Sequence, residues 1–225
     1  MKGKAGMKKI RRAVQSDSAH SLSRRSFMQT VAALPLMLAL PGNAWAAVNI
    51  HRISGEVFVN NRLIKADARV RAGSKVVVAH DGELVFSIGK DAFLLRGGTA
   101  LELVGSTSIA AVRLLTGSML VSLEQRSKPA QLVSSVAVMT VRGSAAYLSA
   151  EPNRLYACTC YGKTNLRAGK HLEHIVSSHH TAYEVIKEAS EKGSTQLNSA
   201  AVIDHTDEEL IMLEAYVGRT PTFTL

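Results

Sequence analysis

The sequence predicts a mainly β protein, a β-sandwich or a short β-solenoid, with one amphipathic helix near its C-terminus. Three observations carry this. Between Ile53 and Gly169 the chain is a series of short runs in which apolar and polar residues alternate or β-branched residues cluster. Turn signals cut these runs at Asp81-Gly82, Gly97-Gly98 and Thr116-Gly117. A capped helical phrase stands only after Thr206.

Residues 1–46 come before any of these runs and have the three parts of an export leader. Lysines and arginines crowd its start, "FMQTVAALPLMLAL" from Phe27 to Leu40 is mildly apolar, and Ala44-Trp45-Ala46 is an A-x-A cleavage site. The apolar stretch is shorter than the roughly 17 to 25 residues of a spanning helix and contains Pro35, so no permanent membrane span is expected. Within it "SRRSFM" resembles the twin-arginine signature: Arg24 and Arg25, a spacer, aromatic Phe27, then an apolar residue. The resemblance implies export to the periplasm by the twin-arginine (Tat) translocase, a route that carries folded proteins, often with a cofactor already in place.

The basic charge belongs to that leader. It holds eight of the 27 lysines and arginines and one of the 18 acidic residues, leaving 19 against 17 and a balance of +2 for the chain from Ala47. With no basic block, few aromatics and no nucleic-acid module, a DNA or RNA partner is not expected.

The β phrases follow in order: "GEVFV", "KVVVAHDGELVFSIG", "AFLLRGGTALELVG", "AAVRLLTGSMLVSLE", "VMTVRGSAAYLSAE" and "YACTCYGKTNLRAG". Glycines 55, 82, 117, 143 and 162 lead similar phrases at spacings of about twenty to thirty-five residues, which leaves sandwich and solenoid both open. Their order, with Val141-Arg142-Gly143-Ser144 as the most specific piece, resembles the FecR domain of periplasmic ferric-citrate sensing regulators, from Ile53 to His171. The resemblance implies a FecR-like β-domain over residues 47–171 and a periplasmic setting. The cytoplasmic segment and membrane span of the regulators do not read in this sequence, so fold and compartment carry over and activity does not.

Residues 172–225 then form a histidine-containing C-terminal extension. "TAYEVIKEASEKG" fits a strand with a turn or a short helix equally well. In "HTDEELIMLEAYVGRTP" Thr206 is an N-cap with Glu209 three residues on, Asp207 and Glu208 suit the positive end of the helix dipole, and Gly218 and Pro221 stop it. A helix over about 206–217 is expected, with Leu210, Leu213 and Val217 on one face.

The chemistry-bearing residues are Cys158 and Cys160, the two cysteines of the chain, and five histidines after them: His171, His174, His179, His180 and His205. On a strand both thiols share one face, with Cα atoms ~6.6 Å apart, at the far edge of what a disulfide spans. Two thiolates so placed can share one ion. His171 and His174 follow the hairpin at Gly169, only one of adjacent His179 and His180 faces a site on an extended backbone, and Asp207 is placed to orient or join His205. Two thiolates and two imidazoles suit zinc, copper or thiolate-bound iron. A redox or structural disulfide and simple burial are the alternatives. No C-x-x-C-H, C-x-x-C, H-E-x-x-H or G-x-S-x-G occurs, so a binding role, with an envelope protein or a redox partner, is favoured over an enzyme.

Overall fold

The computed structural model describes residues 48–65, 70–105, 109–188 and 194–224; the expected leader, with Arg24, Arg25, Phe27, Ala44 and Ala46, lies outside them. The described residues are mainly β, with fifteen strands and one α-helix. The chain opens with β1 (Val48–Ser54), β2 (Val57–Val59), β3 (Arg62–Leu63), β4 (Lys75–Val78), β5 (Glu83–Ile88), β6 (Asp91–Leu95) and β7 (Ala100–Gly105). It continues through β8 (Ile109–Ser122), β9 (Ala130–Val133), β10 (Val138–Val141), β11 (Ala145–Glu151) and β12 (Arg154–Ala168). It closes with β13 (His171–Ser177), β14 (Thr181–Lys187), β15 (Thr195–Ala200) and α1 (Asp207–Tyr216).

Two sheets share two strands. One runs β1-β5-β6-β8-β11-β12-β14-β15 and the other β3-β2-β4-β7-β8-β9-β10-β12-β13. Strands β8 and β12 pass from one sheet to the other at Gly117 (φ 83°) and Gly162 (φ 93°). Glycine is required there twice over, because the backbone is left-handed and a Cβ would lie 2.5 Å from Thr99 Cα at the first bend and 2.3 Å from Ser144 Oγ at the second. Through the shared strands the ring β8-β11-β12-β10-β9 closes into a five-strand barrel. Pairing is antiparallel except between β8 and β9, which settles the choice left open by the glycine spacing: a solenoid would stack parallel coils.

The sequence phrases therefore map onto crossings between sheets. Residues 181–187, ambiguous between strand and helix, are β14, paired with β12 on one side and β15 on the other. The sheets run on past residue 171, since β13 pairs along β12 from Gly162 to Ala168.

Two hydrophobic cores result. The first fills the space between the sheets, with Leu84, Phe86, Phe93, Met119, Leu132, Leu148 and Leu166 fully buried and the rings of Phe86 and Phe93 stacked 4.8 Å apart. The second lies on the opposite face of the first sheet, where Val85, Leu94, Leu120, Tyr147, Tyr156, Cys158 and Cys160 pack with Leu210 and Leu213 of α1. Burying those two leucines contributes about 1.5 to 3 kcal/mol each.

The helix starts as its sequence requires. Thr206 is extended (φ −124°, ψ 162°), its Oγ1 accepts from Glu209 N at 3.3 Å, and Glu209 Oε2 accepts from Thr206 N at 3.1 Å. The expected face of Leu210, Leu213 and Val217 packs on this core, Val217 partly buried as the C-cap, and a side chain the sequence did not announce joins it, the fully buried carboxylate of Glu214.

Candidate metal centre

Alternation along β12 sends Tyr156, Cys158 and Cys160 to the face under α1, while Leu155 and Ala157 enter the inter-sheet core. Regular alternation is not the whole of it. On β11, Ala146 faces Thr159 and Ala145 faces Tyr161, so Cys160 has no opposite number and forms a β-bulge. A bulge bends its strand and re-aims the side chain, which changes the spacing the two thiols would have on a flat strand.

The other donors arrive from two turns held in left-handed backbone. His180 (φ 46°) ends the corner between β13 and β14, where its N–H donates to Cys160 O at 2.8 Å. At the Gly117 and Gly162 bends the same φ region is taken by glycine; here a side chain occupies it, at the cost that left-handed non-glycine residues carry. Asp204 (φ 59°) turns the chain before His205, and its carbonyl accepts from Arg96 Nη2 at 2.7 Å. His205 then lies over Tyr147, ring centroids 4.6 Å apart and nearly parallel.

Cys158 Sγ, Cys160 Sγ and one ring nitrogen each of His180 and His205 all lie within 4.8 Å of one another. Cys158 Sγ is 3.7 Å from His180 Nδ1, and His180 Nδ1 is 3.2 Å from His205 Nε2. Ligands at about 2.0 to 2.3 Å around a tetrahedral ion are separated by about 3.3 to 3.8 Å; these two edges are close to that range, and the other donors lie within 4.8 Å. Both cysteines are fully buried and free, His205 is 8% exposed and the His180 side chain 10%.

The far nitrogens are tied. His205 Nδ1 donates to Ile203 O at 2.7 Å, and His180 Nε2 donates to Asp207 Oδ1 at 2.8 Å. That places the lone pairs of His180 Nδ1 and His205 Nε2 toward each other and toward the thiols, the orientation that carbonyl and carboxylate partners impose on metal-binding imidazoles.

The Cys158 thiol is held below its ordinary range, chiefly by the hydrogen bond from Cys160, with His205 and His180 adding to it, against the cost of burial, when a ring proton is turned toward the sulfur instead of a lone pair. The Cys160 thiol is pushed up by burial and by its neighbour Cys158. Asp207 is lowered by the hydrogen bond from His180, then by His179. The cluster thus offers one thiolate, a second thiol and two imidazoles, all largely buried. Such a set can hold a borderline or soft ion with no position open to substrate, which suits storage, structure or electron transfer better than hydrolysis.

Of the predicted residues, Cys158, Cys160, His180 and His205 come together. His179 sits just outside, its Nε2 2.9 Å from Asp207 Oδ2. His171 and His174 do not join them: past the Gly162 bend they belong to the other sheet, where exposed His174 pairs with Asn165 Oδ1 at 2.7 Å. Tyr147 and the Ile203 carbonyl, which set the His205 ring, had no signal in the sequence, because stacking and carbonyl contacts depend on tertiary approach alone.

No family model and no curated protein matches the chain. Among solved structures, two crystal structures of a candidate anti-sigma factor from Parabacteroides distasonis are similar at 12% identity, with TM-scores of 0.46 and 0.45 and 56% of this chain covered. The match spans 59% of the length of that protein. Among the described residues no helix is long and apolar enough to cross a membrane.

Proposed function

We propose that this chain is an exported, FecR-like envelope protein whose Cys158, Cys160, His180 and His205 hold one d-block metal ion, zinc, copper or iron. One observation carries the reading. Two imidazole nitrogens face each other at 3.2 Å while the opposite nitrogen of each ring donates to a strong acceptor. Two nitrogens held this close beside a thiolate call for a cation between them, a shared ring proton in the metal-free chain and an ion bound by all four groups when the centre is filled. The bulge at Cys160 and the left-handed His180 are local strains of the kind that persist where a site demands them.

Export folded through the Tat translocase fits this chemistry, since thiols metallated before export are protected in an oxidising compartment. The test is elemental analysis with thiol titration on protein recovered from the periplasm after native export. Stoichiometric metal that is lost in Cys158→Ser supports the centre. Metal-free protein with both thiols blocked as a disulfide refutes it and leaves a metal-free scaffolding or signalling module, with the β-domain as its binding surface.

A further inference from the structure

We infer that the solvent side of this centre carries a second, weaker cation station, built from His179 Nε2, His180 Nε2 and the Asp207 carboxylate, through which a divalent d-block ion is handed inward to Cys158 and Cys160. The inference rests on reading the buried cluster as a metal centre. The three outer groups offer ligand atoms within 4.8 Å of one another, and His179 Nε2 lies 3.0 and 2.9 Å from the two Asp207 oxygens. Two imidazoles and a carboxylate make a borderline donor set that leaves room for water on a first-row ion.

Exposure is graded along the path. The His179 side chain is 49% exposed, Asp207 38% and His180 10%, while both cysteines are fully buried. An ion arriving with its water shell meets the outer groups first and loses water stepwise. The ring of Phe223 lies 4.7 Å from His179 and 6.3 Å from His180, an apolar wall beside the passage.

His180 belongs to both stations, and its ring makes them alternate. With the inner site filled, Nδ1 binds the ion and Nε2 carries the proton donated to Asp207. With the outer site filled, Nε2 binds the ion and Nδ1 carries the proton, which His205 Nε2 accepts across 3.2 Å. The handover therefore moves one ion inward and exchanges the His180 proton between its two nitrogens; Cys158 ligates as the thiolate it already is, Cys160 releases its proton to solvent on ligation, and nothing is oxidised or reduced. Two full occupancies at once would require a doubly deprotonated ring.

Cobalt(II) added to metal-free full-length chain distinguishes the stations, because only the inner one gives thiolate-to-cobalt charge transfer. In Cys158→Ser/Cys160→Ser, one cobalt is expected to bind weakly with nitrogen and oxygen ligand-field bands only, and adding His179→Ala should remove it. In the chain with both cysteines, His179→Ala should slow the growth of the charge-transfer band roughly tenfold and leave its final intensity unchanged. A loading rate unaffected by His179→Ala overturns the station, as does cobalt binding in the cysteine variant that His179→Ala does not touch. The rate comparison stands even where the double serine variant misfolds. No charge-transfer band in the unmutated chain sinks the buried centre and the handover with it, a failure separable from loss of outer binding alone.

Discussion

Both ends of α1 are pinned to the sheet by buried polar clusters, and the two are built on opposite rules. At the C-terminal end Glu214 is fully buried; its Oε1 accepts from Ser122 and Tyr161, and its Oε2 accepts from Arg219 Nε at 2.6 Å. Carboxylate faces guanidinium and hydroxyls, donors match acceptors, and none of these atoms lacks a partner. At the N-terminal end thiols and imidazoles face one another, and Arg96, which holds the Asp204 carbonyl beside His205, is already engaged with Glu209 at 2.9 Å. A cluster that neutralises itself holds a structure together. One that gathers electron pairs without a cation of its own is arranged for a ligand.

The sharpest way to break this contrast is to remove the thiols. Cys158→Ser/Cys160→Ser should remove the tightly held metal, the fraction that survives a chelator wash before elemental analysis, while far-ultraviolet circular dichroism retains the β signature, because neither sulfur belongs to the inter-sheet core. At the other end the expected loss is in stability alone. Glu214→Gln leaves Arg219 without its counter-charge and should cost about 2 to 3 kcal/mol in urea unfolding, at the low side for a buried pair because Arg219 is partly exposed. Metal content should not change. A Glu214 variant that loses metal would show that the ends are not independent.

Alkali separates the ends again, since each has a tyrosine. Burial pushes Tyr156 up to about 12, and burial with the adjoining Glu214 pushes Tyr161 higher than an ordinary phenol. A raised folded-state value means the folded protein keeps its proton longer, so this contribution to stability is complete below pH of about 10 and fades as pH climbs through about 12. Phenolate absorbance should therefore lag behind that of free tyrosine. In Glu214→Gln the Tyr161 transition should move earlier and the Tyr156 transition should stay.

What could be read in the sequence follows from how local each feature is. The capping box at Thr206 and Glu209, the strand phrases and the shared face of Cys158 and Cys160 depend on spacings of a few residues, and the structure has all of them. The choice of histidines does not. His171 and His174 are nearest to the cysteines in sequence, yet the bend at Gly162 carries them into the other sheet, while His205 reaches the site from beyond β15. Adjacent His179 and His180 both turn toward Asp207 because His180 is left-handed, a conformation that residue type alone does not announce. Glu214 was hidden for a related reason: a carboxylate on a helix reads as solvent-facing until Arg219 and Tyr161 are seen above it.

Removing the carboxylate that orients His180 is the next smaller perturbation. Asp207→Ala frees Nε2 to share the ring proton with Nδ1, so the ligand lone pair is present only part of the time, and affinity for zinc should fall roughly tenfold in a chelator competition. Unchanged affinity would mean that packing alone fixes the ring.

The smallest effect belongs to Thr206, which stands between His205 and Asp207 and holds the first turn of α1 without touching the cluster's donors. Thr206→Ala removes the acceptor for Glu209 N and should cost about 1 kcal/mol of stability in urea. Arg96 still grips Glu209 and the Asp204 carbonyl, so the turn that aims His205 remains tied from the sheet side. Zinc affinity in the same competition should therefore move less than it does in Asp207→Ala. Should Thr206→Ala weaken zinc as much as Asp207→Ala, the helix start itself would be the element that organises the site, and the orienting role would pass from the Asp207 carboxylate to the cap.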